Sequence, residues 1–128
     1  LLGDAIVRQH LAELYVLTEV NKLNVLRARS GRNLTGVEGN LAKMLMTHTL
    51  RRARDIGSSL LGAGATLWGA DAPTAGAVQE MVVYSPAPAI YGGTDQVQRN
   101  IVGERGLGLP KEPGDFRTTA FKDLPKNG

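Results

Sequence analysis

The stretch Gly92-Gly93-Thr94-Asp95-Gln96-Val97-Gln98-Arg99 holds the residue types of this chain best suited to chemistry. A glycine doublet lets the backbone turn sharply and approach a bound group with no Cβ in the way. Thr94 or Asp95 can then cap a helix that runs through Gln96, Gln98 and Arg99. The product is a helix start whose orphan amides and positive dipole end attract a phosphate or a carbonyl oxygen. The same string also fits a plain glycine turn opening one more helix, because short glycine motifs recur by chance. Elsewhere such residues are sparse. The chain has no cysteine, so it carries neither a disulfide framework nor a thiolate zinc site, in keeping with a reducing interior. His10 and His48 each stand alone on helical stretches, without a second ligand or a nucleophile beside them, and read as surface or packing residues. Arg51-Arg52-Ala53-Arg54 is the one basic cluster. No aromatic or base-reading element accompanies it, so it reads as a solvated helix face and nucleic acid is not indicated.

These residues need elements to hold them. From Asp4 to Ser30, Val7, Leu11, Leu14, Leu17, Val20, Leu23 and Leu26 recur at three- and four-residue intervals, the pattern of a long amphipathic helix. Asp4 is placed to cap it, and Gly31 follows a last turn that contains Arg27 and Arg29. Thr35-Gly36-Val37-Glu38 has the spacing of a capping box, hydroxyl to the N3 amide and carboxylate back to the cap amide, so a second helix starts there. Leu41, Leu45, Leu50, Ala53, Ile56 and Leu60 carry it to about Leu61. Lys43, Arg51, Arg52 and Arg54 form its wet face, with Asp55 four residues after Arg51 as a surface pair. Small residues at 62–65 imply the close approach of another helix or of a ligand. Residues 66–77 read as a loop anchored by Trp68. Val78–Tyr84 are apolar enough for a strand or a short helix, which periodicity does not decide over seven residues; with no strand partner elsewhere the segment is taken as helix, stopped by Ser85-Pro86-Ala87-Pro88. Beyond Gly106 the tail is polar, with Phe116 and Phe121 as its anchors.

At 128 residues and 42% hydrophobic composition, the chain is one domain's worth with a real core, and it lacks the apolar run of roughly 18 residues that a membrane span needs. The net charge of +3 is scattered. Three capped helices, a short fourth segment and no strand pattern predict an all-α, antiparallel up-and-down helical bundle.

Ile90-Tyr91-Gly92-Gly93-Thr94-Asp95-Gln96-Val97-Gln98-Arg99-Asn100-Ile101 resembles the C-terminal signature of the flavin-dependent acyl-CoA dehydrogenases: Ile-Tyr, then Glu or Gly, Gly-Thr, a variable residue, Gln or Glu, and Arg. The resemblance runs from about Gly3 to Pro113 and is strongest at 90–109. It implies that residues 1–109 are the C-terminal helical bundle of such an enzyme without its first long helix, and that 110–128 are a tail. Leu1-Leu2-Gly3 offers no initiator Met and no signal pattern, which fits a piece of a longer chain. The implied cofactor is FAD, with Gln9 (after the basic Arg8), Gly62, Ala63, Thr94, Asp95 and Gln96 as its contacts and Gly92 and Gly93 beside the acyl-CoA. Ser59 stands where the family has Gln, and Gly92 where its best-known members carry the Glu base. No catalytic residue is therefore expected in this chain. The implied reaction is α,β-dehydrogenation of the thioester, the base coming from the absent helix; the alternative is a non-catalytic subunit or assembly module of a heteromeric dehydrogenase. Implied partners are the acyl-CoA substrate, other domains of the parent chain, a neighbouring subunit of a dimer or tetramer and an electron-accepting flavoprotein. The implied setting is cytoplasmic lipid metabolism.

Overall fold

The computed structural model describes residues 3–111 and 119–124. Among them the regular structure is helical: α1 spans Ala5–Ser30, α2 Glu38–Leu61, α3 Ala77–Tyr84 and α4 Asp95–Ile101, with short 3-10 turns between and no strand. The expected ends of α1 are found. The Asp4 carboxylate accepts from the Ile6 amide at 2.7 Å and the Val7 amide at 3.3 Å, while Gly31 closes the helix at φ +67°. An acceptor at this position stabilises a helix by about 1 kcal/mol.

The start of α2 corrects the expected capping box. Glu38 does reach back, taking the Thr35 amide at 2.6 Å and the Gly36 amide at 3.0 Å. The Thr35 hydroxyl, however, donates to the same carboxylate at 2.8 Å instead of accepting from a helical amide. The helix begins three residues later, at Glu38, behind Val37. These donors favour the charged carboxylate, and the Thr35 amide above all lowers the Glu38 pKa from 4.5 to about 2.

α2 is the spine. It packs against α1 on one side and against α3 and α4 on the other. All three neighbours run antiparallel to it: the short 31–37 link turns α2 back along α1, where Arg52 meets Glu13, Arg54 meets Ser85 while Gly57 lies against Val78 of α3, and Thr47 and Asn40 meet Asp95 and Gln98 of α4. α3 and α4 thus lie end to end along α2, over its C-terminal and N-terminal halves. After α4 a π-helical turn, Val102–Gly106, carries the chain back beside Val37. A Cβ added to Gly106 would come within 2.8 Å of Val37 Cγ2.

Among the described residues the buried apolar ones are few, Val37, Ile56, Ala72 and Pro88, and α1 buries none completely. Tyr15, Val16, Val20, Leu23 and Leu26 leave an apolar stripe of α1 in the open. Trp68 is 64% exposed, so it does not anchor the 66–77 loop. That loop instead closes on itself through turns at Gly69–Asp71 and Pro73–Gly76, with Ala72 as its buried residue. Phe116 and the tail residues around it lie outside the described residues. Phe121 opens a short 3-10 turn, Phe121–Asp123.

Candidate functional site

The glycine turn is built as the sequence leads one to expect. Gly92 and Gly93 have φ of +63° and +86°, a region that costs a side-chain-bearing residue roughly 1–2 kcal/mol. Thr94 then caps α4, its hydroxyl accepting from the Val97 amide at 3.2 Å. The two glycines differ in what surrounds them. A Cβ at Gly92 would meet nothing within 4 Å, whereas one at Gly93 would strike Gln98 Nε2 at 2.8 Å. One glycine faces open space. The other makes room for an internal amide.

That amide belongs to a polar network which the sequence did not announce. Gln98, buried on α4, donates from Nε2 to the Gly92 carbonyl at 2.9 Å and accepts from Asn40 Nδ2. Lys43 Nζ donates to the Gly93 carbonyl. The buried Asp95 carboxylate accepts from Thr47 Oγ1 at 3.1 Å and Arg51 at 2.8 Å, with Lys43 Nζ 4.0 Å away. Asn40, Lys43, Thr47 and Arg51 are spaced by three, four and four residues, so they share one face of α2. The face read as wet is therefore largely occupied. Lys43 and Arg51 hold the turn, Arg52 forms a two-point pair with Glu13 at 2.8 and 2.6 Å, and Arg54 contacts Ser85. The expected Arg51–Asp55 pair is absent, Arg51 being taken by Asp95 and Asp55 by Arg54 at 2.8 Å.

The proposed site residues fall into two groups. Gly92, Gly93, Thr94 and Gln96 sit together at the middle of α2, where Arg51, Arg54, Ile90 and Arg99 join Thr94 and Gln96 around a groove of about 360 Å³. Asp95 belongs to the same turn, but its carboxylate points inward and is already paired. Gln9 and Gly62-Ala63 form the second group. Gln9 is one turn before Glu13, and the Glu13–Arg52 pairing puts it opposite about Ile56, roughly 9 Å along α2 from Gly62. Gln9, Gly62 and Ala63 are all exposed. From Arg51 to Leu61 the helix rises by about 15 Å, so a single compact ligand does not touch both groups. Gly64 is held from within, its carbonyl accepting from the buried Gln79 at 2.9 Å.

Two further features were not foreseen. Beside the turn, the Tyr84 and Tyr91 hydroxyls meet at 2.8 Å, a contact that raises the Tyr91 pKa. Between α1, α2 and α4 a second cleft, about 460 Å³, is lined by Val20, Leu45, His48, Arg51 and Arg99 among others. His48 is exposed and His10 half-buried. No group of three or more His, Cys, Asp or Glu among the described residues could hold a metal ion, and no described helix is long and apolar enough to cross a membrane.

The family model of the acyl-CoA dehydrogenase C-terminal domain matches residues 1–107, which include all four helices and the capped glycine turn. The chain belongs to that family. Among individual proteins it is similar to acyl-CoA dehydrogenase IpdE1 of Mycolicibacterium smegmatis, 37% identical over 76 residues, or 59% of this chain and 19% of that protein. It is also similar to IpdE1 of Mycobacterium tuberculosis, 50% identical over 34 residues, or 27% of this chain and 9% of that protein. The chain therefore spans about a fifth or less of the curated relatives it matches. No solved structure matches it significantly.

Proposed function

We propose that this domain, residues 1–109, is the FAD-binding and oligomerisation part of an acyl-CoA dehydrogenase acting in the cytoplasm. Residues 110–128 are its tail. The intact enzyme performs α,β-dehydrogenation of an acyl-CoA thioester, and a bound flavin supplies the electron sink for that chemistry. The observation that carries the proposal is the turn itself. Its carbonyls are tied inward while the space in front of Gly92 is open, so an oxygen-bearing group can approach bare backbone there. Thr94, Asp95 through its backbone, and Gln96 hold the cofactor from this turn, with Gly92 and Gly93 against the thioester. Gln9 touches the cofactor from α1, and Gly62 and Ala63 hold the nucleotide half of a second flavin, bound by a neighbouring subunit of a dimer or tetramer. The separation of the two groups along α2 supports two flavins better than one.

Gly92 has no side chain, so this chain's role is to bind and orient, while another segment of the intact protein contributes the proton-abstracting carboxylate. An electron-accepting flavoprotein takes the electrons onward. The alternative, a non-catalytic subunit of a heteromeric dehydrogenase, rests on the same bare position. The deciding experiment is purification of the intact protein. Visible absorbance of bound flavin and acyl-CoA-dependent bleaching support the enzyme. Flavin without bleaching supports the non-catalytic subunit. A colourless protein that takes up no added FAD sinks both.

A further inference from the structure

We propose that Lys43 is a positioning residue for the cofactor-facing side of the glycine turn; the inference rests on the function proposed above. A trans peptide is planar, and its C=O and N–H point in opposite directions. No peptide among the described residues is cis. Gln98 Nε2 draws the Gly92 carbonyl inward, which turns the Gly93 amide outward. Lys43 Nζ draws the Gly93 carbonyl inward, which turns the Thr94 amide outward. Two adjacent donors thereby face away from Gln98 and Lys43, on a turn where a Cβ at Gly92 would meet nothing within 4 Å.

Glycines in the left-handed region have many other conformations within reach, so something must select this one. The two inward bonds do, and Lys43 makes the stronger, since a charged donor forms a shorter and firmer bond than an amide. Its side chain is only 16% exposed, with Asp95 alongside, so the ammonium is confined where the bond needs it. Lys43 reaches no ligand itself. Its effect passes through the peptide plane it fixes.

The test uses the intact, flavin-loaded protein and two variants. Lys43→Met keeps the length of the side chain and removes the donor; Lys43→Arg restores a cationic donor. Amide hydrogen exchange across 93–97 reads the turn directly, and FAD titration with the bound-flavin spectrum reads its consequence. Lys43→Met is expected to speed exchange there by about tenfold, the equivalent of one net hydrogen bond, with α1 unchanged. It should weaken FAD by a similar factor and shift the flavin absorption, and Lys43→Arg should recover part of both. Unchanged exchange overturns the clamp. Faster exchange with unaltered FAD affinity and spectrum, in a protein whose wild type binds FAD, overturns the positioning role alone. A wild type that binds no FAD overturns the function proposed above and this role with it. Should Lys43→Met fail to fold, Gln98→Met removes the companion bond and must shift exchange and FAD affinity in the same direction, or the inference falls.

Discussion

The two sides of α2 are joined by different physics. Toward α1 the seam is a long run of partly covered aliphatic residues with one two-point ion pair, Arg52–Glu13, and no fully buried α1 residue. Toward α4 the seam is short and polar: Thr47, Asp95 and Gln98 are buried, and each is hydrogen-bonded across the interface. The α1 side resembles half of a helix interface, waiting for cover. The α4 side is finished. A long apolar seam tolerates sliding and substitution, while a buried polar network is satisfied in one arrangement only. The molecule thus places its most exacting contacts around the glycine turn.

That contrast can be broken from either side. The largest effect is expected from Asp95→Ala, which takes the carboxylate from between Arg51 and Lys43 and leaves the two cations facing each other. Removing one partner of a mostly buried pair should cost about 3 kcal/mol in denaturant unfolding, and a cost below about 1 would show the α4 seam to be ordinary. Gly106→Ala comes next, at about 2 kcal/mol, because its methyl group meets Val37 at 2.8 Å and the core must shift. Thr94→Ala removes the α4 cap and should cost about 1 kcal/mol, with Thr94→Ser largely neutral. On the α1 side Leu23→Gln should change stability by no more than about 0.5 kcal/mol, since Leu23 is 61% exposed. A larger loss would mean that its stripe is covered in solution.

The smallest effect belongs to Glu38, at the turn into α2. Its pKa is lowered on folding, from 4.5 to about 2, so its carboxylate's contribution is complete above 4.5 and lost as pH falls toward 2. Comparison of Glu38→Gln with the parent chain should remove the part of the acid-induced loss confined to that window.

Much of this was written locally. Asp4, Gly31, Thr94 and the end of α2 near Leu61 follow from capping chemistry and helical spacing, which involve residues a few positions apart. The polar stripe of α2 was misread for the opposite reason. Lys43 and Arg51 look like a wet face because their partners, Gly93 and Asp95, lie 50 and 44 positions away, and no local pattern reports such a pairing. The one available signal was the three-four-four spacing of Asn40, Lys43, Thr47 and Arg51, which marks a common face without saying what it meets. Trp68 misled because bulk alone does not say that a covering surface exists. The resemblance at 90–101 carried the family, but the inward aim of Asp95 is a property of this fold's packing.

Because α1, α3 and α4 each dock on α2 more than on one another, this architecture resembles a hub with spokes. Damage to a spoke stays local, whereas a lesion midway along the hub is felt on two fronts at once. Intolerance to change is therefore concentrated in a single segment of 24 residues, and variants selected for retained folding should vary freely along the outer surface of α1 long before they vary there.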